Sequence, residues 1–259
     1  MAPFQIKICG VTSIDDAVSA VRHGADAIGL NFYEKSARYV CPPNASETAS
    51  GQEPKKHDAA QLVNAIRQWT DSQSAPAVKV VGVFVNLEVR RVVEIADELG
   101  LDGIQLHGDE PASHAREIRD LIEPANPQRP ILIIRAVRTN PSGQQQSEPG
   151  REISRIEAEI EQWAKSGVDA VLLDAAVAGE FGGTGKSVDW LSVPKIKSAV
   201  PLILAGGLTA ENVSEAIRCS QARAVDVASG VESSPGTKDE MLVRQFVESA
   251  RASLDNPAV

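Results

Sequence analysis

The sequence predicts an α/β protein folded as a single (β/α)8 (TIM) barrel over residues 1–259, with two low-complexity surface insertions. Three observations support this class. Eight short, mostly aliphatic runs recur along the chain, segments of helical periodicity separate them, and the length suits eight such units in one domain. Eight units in a chain of this length fit a closed barrel better than an open doubly wound sheet.

The eight aliphatic runs have the length and composition of buried parallel strands. They are Gln5 to Cys9, Ala27 to Phe32, Lys79 to Val85, Gly103 to Leu106, Ile131 to Ala136, Ala170 to Asp174, Pro201 to Ala205, and Ala224 to Ala228. Helical periodicity is clearest over Ser13 to His23, Leu87 to Leu99, Thr209 to Arg218 and Lys238 to Leu254. The first of these helices begins with S-I-D-D, a capping box in which Ser13 can accept hydrogen bonds from first-turn amides.

Two connections are longer than a strand–helix unit needs. Cys41 to Lys56 and Thr139 to Gly150 are rich in Pro, Ser, Gln and Gly and contain almost no apolar residues. We interpret them as surface insertions, at about 41–56 and 139–150, because such segments cannot bury a core of their own. Neither is typical of a domain linker, since the strands on both sides are needed to complete one barrel.

Charge and composition exclude several classes of protein. The net charge of -9 argues against nucleic acid or an anionic membrane as the main partner. The chain has no apolar run of about 18 residues and no secretory signal pattern. Its three cysteines, Cys9, Cys41 and Cys219, lack the spacing of a disulfide framework or a zinc site. We therefore expect a cytoplasmic protein that holds no metal.

The predicted strand ends carry polar or glycine residues, whereas the strand bodies are aliphatic. These residues are Cys9, Gly10, Asn31, Gln105, His107, Gly108, Arg135, Asp174, Gly206, Gly207, Asp226, Ser229 and Gly230, with Lys35 and Arg38 in the loop after the second strand. Random loop polarity would not distinguish the two strand ends so consistently. Because (β/α)8 enzymes carry their active site at the C-terminal ends of the strands, we expect the chemistry at this mouth.

Asp174 ends the sixth run and is followed by a glycine-rich loop that contains Gly182 and Gly183. A strand that ends on a carboxylate and continues into such a loop is typical of a catalytic acid, although a turn-forming aspartate would have the same pattern. The G-G-T-G-K-S run in the loop is a poor nucleotide-binding motif, because the first glycine of a Walker loop would fall on Glu180.

Glycine turns follow both the seventh and the eighth run, L-A-G-G-L with Gly206 and Gly207, and A-S-G-V-E with Ser229 and Gly230. In barrels of this kind, these two loops commonly bind a phosphate through backbone N–H groups. Either turn alone would be better explained as an ordinary tight turn. Both together predict a small phosphorylated substrate.

Cys9 and Arg38 each have a structural and a chemical interpretation. A cysteine at a strand end is commonly a small core residue, but it becomes a base when cations lower the pKa of its thiol. Two-residue alternation places Lys7 on the same side as Cys9. Arg38 fits either a surface ion pair or a bidentate ligand for a carboxylate. Gln105 and His107 fit either the site or ordinary turns.

Seven motifs extend over the chain apart from the insertions. They are K-I-C-G-V-T (Lys7 to Thr12), G-A-D-A-I-G-L-N-F-Y-E-K-S-A-R-Y-V (Gly24 to Val40), V-G-V-F-V-N (Val81 to Asn86), G-I-Q-L-H-G-D-E (Gly103 to Glu110), L-L-D with G-G-T-G-K-S-V-D-W, L-A-G-G-L-T-A-E-N-V, and D-V-A-S-G-V-E-S-S-P-G-T-K-D (Asp226 to Asp239). As an ordered set they closely resemble the phosphoribosylanthranilate isomerase family. The resemblance implies an isomerase of tryptophan biosynthesis that performs an Amadori rearrangement without a cofactor.

The resemblance also implies residue roles. The family's general base falls on Cys9 and its general acid on Asp174, while Arg38 matches the ligand of the anthranilate carboxylate. The remaining positions that the resemblance implies are Gly206, Gly207, Ser229 and Gly230 around the phosphate, Gly182 and Gly183 in the closing loop, and Asp226 near the ribose hydroxyls. Gln105 and His107 are further candidate substrate-binding residues because of their position at the end of the fourth strand. We expect a Cys9 thiolate and a protonated Asp174, so their environments should shift the two pKa values in opposite directions.

Two alternatives remain open at this stage. A related phosphosugar isomerase of histidine biosynthesis would be expected to use an aspartate where this chain has Cys9. A barrel that binds a phosphorylated ligand without converting it would not need both Cys9 and Asp174. The length excludes a fused enzyme with a second barrel, and the sequence leaves open whether the protein is a monomer or a homodimer.

Overall fold

A computed structural model of the chain describes residues 2–43, 58–73, 77–124, 130–139, 149–175 and 189–256. Eight parallel strands close into one barrel in chain order, which confirms the predicted fold class. They are β1 (Ile6–Cys9), β2 (Ala27–Asn31), β3 (Lys79–Phe84), β4 (Gly103–Leu106), β5 (Leu132–Thr139), β6 (Ala170–Ala175), β7 (Leu202–Leu204) and β8 (Val225–Val227). The pairing of β8 with β1 closes the barrel.

Seven α-helices lie outside the barrel within the described ranges. They are α1 (Ile14–Arg22), α2 (Ala59–Gln73), α3 (Val89–Glu98), α4 (Ser113–Ile122), α5 (Pro149–Lys165), α6 (Val213–Ser220) and α7 (Glu240–Asp255). The predicted cap of α1 is confirmed, because the Ser13 side chain accepts a hydrogen bond from the Asp16 amide at 3.1 Å.

The expected eightfold alternation is incomplete between β6 and β7. The described part of that connection, residues 189–200, contains a 3₁₀ turn (Val193–Lys195) and no α-helix. Pro194 and Pro201 explain this, because a proline ends a helix and disfavours helical geometry in the residue before it. After β8, a 3₁₀ turn (Ser229–Val231) leads into an unpredicted hairpin of β9 (Glu232–Ser234) and β10 (Thr237–Lys238).

Both predicted insertions lie mostly outside the described residues. The first, 41–56, begins at Cys41, which forms a bridge with Asp58 where the described chain resumes. The second, 139–150, overlaps ordered structure at its ends, since Thr139 ends β5 and Pro149 begins α5. That the whole chain forms one domain stays a prediction.

Strand residues alternate between the barrel interior and the helix-facing side. In β1, Ile6 and Ile8 belong to the large core between barrel and helices, whereas Lys7 and Cys9 take the interior positions. The inner core consists of Phe4, Ala27, Val81, Ile134, Ala136, Ala170, Leu172, Ile203, Ala205 and Ala224. These apolar side chains share the barrel interior with the polar interior residues of β1, β4, β6 and β8.

The N-terminal end of the barrel contains a G-x-D arrangement that occurs three times, before β2, β4 and β6. Each aspartate accepts hydrogen bonds from a backbone amide near the start of the preceding strand and from an arginine on a helix. Asp26 accepts from Ile6 N (2.8 Å) and from Arg251 (2.8 Å). Asp102 accepts from Val80 N (2.8 Å) and from Arg67 (2.6 Å). Asp169 accepts from Ile133 N (2.7 Å) and from Arg119 (2.6 Å). These charge-assisted bonds tie strands to helices at the end opposite the predicted site.

Candidate active site

A cavity at the C-terminal ends of the strands brings together most of the predicted site residues. The predicted residues that line it are Cys9, Arg38, His107, Asp174, Gly206, Gly207, Asp226, Ser229 and Gly230. Gly182 and Gly183 lie outside the described residues. Gln105 is not part of the lining, because its side chain is fully buried below His107 with its polar atoms bonded to Lys7 and His107.

Cys9 reaches the cavity because β2 leaves room for it. Cys9 pairs with Gly29 across β1 and β2. A Cβ atom on Gly29 would lie 2.7 Å from the Cys9 sulfur and 3.1 Å from Cε of Lys7. Contacts that short would displace both side chains, so the glycine permits the sulfur and the Lys7 stem to lie side by side.

The electrostatic environment of Cys9 differs from the expected one. Burial raises the pKa of the Cys9 thiol, and the negative charge of Asp226 raises it further. Lys7 and Lys238 act in the opposite direction without reversing the shift. The expectation that the surroundings of Cys9 lower the pKa of its thiol is therefore wrong, because desolvation and Asp226 outweigh the two cations.

Lys7 forms an ion pair in the floor of the cavity. Its fully buried ammonium lies 2.8 Å from Oδ1 of Asp226 and 3.1 Å from Oε1 of Gln105. Burial by itself would lower the pKa of Lys7, but the charges of Asp226 and Cys9 outweigh it, so the pKa is raised. Lys7 therefore stays charged, and Asp226, predicted to lie near the ribose hydroxyls, is also its counter-ion.

Asp174 enters the cavity from β6, on the far side of the barrel from β1. Its Oδ2 lies 3.1 Å from Nε2 of His107, whose Nδ1 lies 2.8 Å from Nε2 of Gln105. Its other oxygen, Oδ1, faces Gly206, where an added Cβ would lie 3.0 Å away. Asp174 and Cys9 therefore line the same cavity.

The two glycine loops have a geometry that larger residues would not permit. Gly206 and Gly207 have φ values of +79° and +64°, a region that favours glycine. A Cβ on Gly230 would overlap the carbonyl oxygen of Leu208, so the loop after β8 packs directly on the loop after β7. Asn212 fixes the first loop by donating to Gly207 O at 2.9 Å. The two loops line the cavity together, and that they bind a phosphate stays a prediction.

Arg38 is held by Glu232, which also binds Lys238, and the sequence analysis singled out neither of these two residues. Glu232 accepts from Nε and Nη2 of Arg38 at 2.8 and 2.7 Å. The Lys238 ammonium donates to Glu232 (2.8 Å) and to Cys9 O (2.7 Å). Burial would raise the pKa of Glu232, but the bonds from Arg38 and the charge of Lys238 hold it below its usual range.

Glu232 and Lys238 both lie in the quoted motif that runs from Asp226 to Asp239. Their six-residue separation carries no signal by itself, because only the hairpin of β9 and β10 places them side by side. The P-G dipeptide between them was the available indication of a turn.

Arg135 is not at a strand end, contrary to the sequence analysis. It lies inside β5, which continues to Thr139. Its guanidinium bonds to Glu110 at 2.9 Å and lies 4.5 Å from the ring centroid of Trp163 on α5. Since Ile134 and Ala136 belong to the inner core, alternation directs Arg135 toward the helices, where its role is structural.

Within the described ranges, no group of three or more His, Cys, Asp or Glu side chains is arranged to hold a metal ion. Among the helices that the structure describes, none combines the length and the apolarity that crossing a membrane requires.

Comparison with known proteins identifies the family. The family model described as N-(5'phosphoribosyl)anthranilate (PRA) isomerase matches residues 49–249. An N-(5'-phosphoribosyl)anthranilate isomerase of Roseiflexus sp. is 39% identical over 248 residues, covering 96% of this chain and 98% of the relative. The enzyme of Pseudomonas paraeruginosa is 39% identical over 252 residues, covering 97% of each chain.

Solved structures agree with the sequence matches. The crystal structure of the Thermotoga maritima enzyme has a TM-score of 0.71 and 32% identity, and covers 96% of this chain and 99% of its own. A phosphoribosylanthranilate isomerase in complex with reduced 1-(o-carboxyphenylamino)-1-deoxyribulose 5-phosphate has a TM-score of 0.68, 32% identity and the same coverage. On both grounds, this chain belongs to the phosphoribosylanthranilate isomerase family.

Proposed function

We propose that this chain converts N-(5-phosphoribosyl)anthranilate to 1-(2-carboxyphenylamino)-1-deoxyribulose 5-phosphate, with Asp174 as the general acid and Cys9 as the general base. Family membership supplies the reaction. One observation carries the assignment of roles: the carboxyl group of β6 and the thiol of β1 line a single cavity, with the glycine loops after β7 and β8 in the same wall.

The reaction needs an acid and a base at different atoms of the substrate. Asp174 gives its proton to the furanose oxygen, the bond from that oxygen to C1′ breaks, and the nitrogen lone pair forms a protonated Schiff base. The Cys9 thiolate then takes the proton from C2′, and the electrons of that bond neutralise the Schiff base to give an enolamine. Tautomerisation of the enolamine yields the ketose.

The raised pKa of Cys9 affects the second step, in which the thiolate takes the proton from C2′. In the ligand-free protein most Cys9 is the neutral thiol at neutral pH, so only the ionised fraction can act as the base. The protonated Schiff base places a positive charge in the same cavity and favours the thiolate at the moment when the base is needed. Lys7 and Lys238 support the thiolate in the same direction.

The substrate's two anionic ends have separate binding sites in this proposal. The phosphate lies against Gly206, Gly207, Ser229 and Gly230, where backbone amides can approach it closely. Arg38 receives the anthranilate carboxylate on the guanidinium edge that Glu232 does not occupy, since Glu232 takes the Nε and Nη2 edge. The relative solved with a reduced, phosphorylated product supports a ligand of this class.

Two substitutions test the catalytic roles. Cys9→Ser and Asp174→Asn are each expected to lower kcat by about 10²–10⁴-fold, the usual contribution of a general acid or base. Binding of the reduced product should change little, because neither residue supplies the phosphate or carboxylate contacts. Turnover is followed by the fluorescence of phosphoribosylanthranilate, and near-normal turnover by either variant would remove that residue from its role.

Two outcomes with other substrates or without turnover would favour the alternatives. A wild-type chain that binds phosphoribosylanthranilate and leaves it unchanged would be a binding protein. Conversion of the histidine-pathway phosphosugar in its place would favour the related isomerase.

The assembly is proposed to be a monomer or a homodimer. A solved relative 31% identical to this chain is described as monomers generated from the dimeric isomerase of Thermotoga maritima, so both forms occur among the relatives. Sedimentation velocity distinguishes them, and a larger assembly would contradict the proposal.

A further inference from the structure

Four buried side chains form a continuous hydrogen-bonded chain across the barrel, with Lys7 and Gln105 beneath the cavity and His107 and Asp174 in its lining. Lys7 Nζ lies 3.1 Å from Gln105 Oε1, Gln105 Nε2 lies 2.8 Å from His107 Nδ1, and His107 Nε2 lies 3.1 Å from Asp174 Oδ2. One end of the chain is beside the proposed base and the other end is the proposed acid. Gln105 is fully buried and does not line the cavity.

The chemistry of Lys7 fixes the direction of every bond in this chain. An ammonium group only donates, so the Gln105 atom facing Lys7 is the carbonyl oxygen, and the amide NH₂ faces His107. That NH₂ donates to Nδ1, which must carry a lone pair. The proton of the neutral imidazole is therefore on Nε2, where His107 donates it to Asp174.

We propose that Gln105, oriented by Lys7, is a positioning residue that locks His107 in the Nε2–H tautomer and so reserves the proton of Asp174 for the substrate. The inference rests on the proposed role of Asp174 as the general acid. Gln105 acts through His107 and touches no reacting atom.

The locked tautomer has two consequences for the acid. A His107 with a bare Nε2 could take the proton of Asp174, leaving a carboxylate that cannot protonate the furanose oxygen. With Nε2 already donating to Oδ2, the acid's proton is left on Oδ1. That oxygen faces Gly206, which lines the cavity. The arrangement therefore prevents His107 from accepting the proton of Asp174 and selects Oδ1 as the oxygen that delivers it to the substrate.

Gln105→Glu is the sharpest test, because the change is nearly isosteric and leaves Lys7 with a partner. A carboxylate at this position accepts hydrogen bonds from both Lys7 and His107. His107 must then carry a proton on Nδ1, which reverses the tautomer preference. The tautomer is read in the ligand-free protein from the ¹⁵N shifts of labelled histidines. The chain has four histidines, and the signals missing from His107→Asn identify those of His107.

We expect Nε2–H for His107 in the wild-type protein and a proton on Nδ1 in Gln105→Glu. In Gln105→Glu, kcat should fall by roughly 10- to 100-fold while KM changes less than about threefold. Gln162→Glu, the same change on the exposed side of α5, should leave the tautomer and kcat unaltered. If Gln105→Glu does not fold, Gln105→Met, which removes the donor to Nδ1, is expected to populate both tautomers.

A wild-type His107 protonated on Nδ1 would overturn the proposal, and so would a switched tautomer with unchanged kcat. The ¹⁵N readout does not depend on the role of Asp174. Failure of the lock is therefore distinguishable from failure of the proposed acid, which Asp174→Asn tests separately.

Discussion

At the scale of single residues, Cys9 shows how opposing charges set the state of a base. Its sulfur is near the ammonium of Lys7, yet the carboxylate of Asp226 neutralises that ammonium at 2.8 Å. The ion pair therefore offers the thiolate less stabilisation than an isolated lysine would. Desolvation then raises the pKa of the thiol.

Replacing Asp226 by asparagine should lower the pKa of Cys9. The substitution removes the negative charge that raises this pKa and leaves the positive charge of Lys7 in place. At neutral pH the thiolate fraction rises, so alkylation of Cys9 by iodoacetamide should become severalfold faster, with its pH profile moved to lower pH. Mass spectrometry distinguishes Cys9 from Cys41 and Cys219.

The matched control is Asp120→Asn, the same change of charge on the exposed side of α4. It should leave the alkylation profile of Cys9 unaltered. A profile in Asp226→Asn that is unchanged or moves to higher pH would contradict this account of the thiol's environment.

At the scale of elements, β1 and β2 cooperate to place the base. Alternation along β1 directs Lys7 and Cys9 inward, but the sulfur has room only because β2 carries Gly29 opposite it. β10 completes the arrangement, since the ammonium of Lys238 donates to the carbonyl oxygen of Cys9. The position of one sulfur therefore depends on β1, β2 and β10, the last of which is more than two hundred residues away in sequence.

Gly29→Ala should disable the enzyme more than it destabilises the fold. The new Cβ would lie 2.7 Å from the Cys9 sulfur, which must move out of line with the substrate. We expect kcat to fall by roughly tenfold or more, because small displacements of a catalytic group are costly. The overpacking should lower the free energy of unfolding by about 1–3 kcal/mol.

Gly103→Ala is the comparison for this variant. It adds a methyl group to β4 at the end of the strand away from the cavity, with the nearest atoms 3.3 Å away. It should cost stability with little loss of kcat. Equal losses of kcat in both glycine variants would show that the sulfur position is not the cause.

At the scale of the whole molecule, stability and chemistry occupy opposite ends of the barrel. The three G-x-D aspartates join strands to helices at the N-terminal end, and the proposed acid, base and binding loops lie at the C-terminal end. Substitutions at the two ends should therefore separate folding from catalysis.

Asp102→Ala illustrates the separation. It removes the acceptor of the Val80 amide and of Arg67, at 2.8 and 2.6 Å. Hydrogen bonds to a charged group each contribute about 1.5–3 kcal/mol, so the melting temperature should fall by several degrees. Thermal unfolding measures the change, and kcat below the transition should stay within about twofold of wild type. A large loss of kcat at unchanged stability would contradict the separation.

The features of the fold and of the site that could be predicted from the sequence are those set by residues close together along the chain. Strand periodicity, the S-I-D-D cap and the glycine turns depend on neighbouring residues, so the strands and most of the cavity residues could be placed from them. Arg135 was misplaced because its strand continued beyond the aliphatic run, and the 3₁₀ turn between β6 and β7 interrupted the expected alternation.

The sequence by itself determined the barrel and the identity of the residues at its mouth, because both follow from short-range periodicity and from motifs along the chain. Only the tertiary structure decided that Glu232 binds Arg38, that Asp226 neutralises Lys7, and that Gln105 connects Lys7 to His107. These contacts join residues distant in sequence, and the balance of burial and charge that sets the pKa of Cys9 exists only after the barrel has closed.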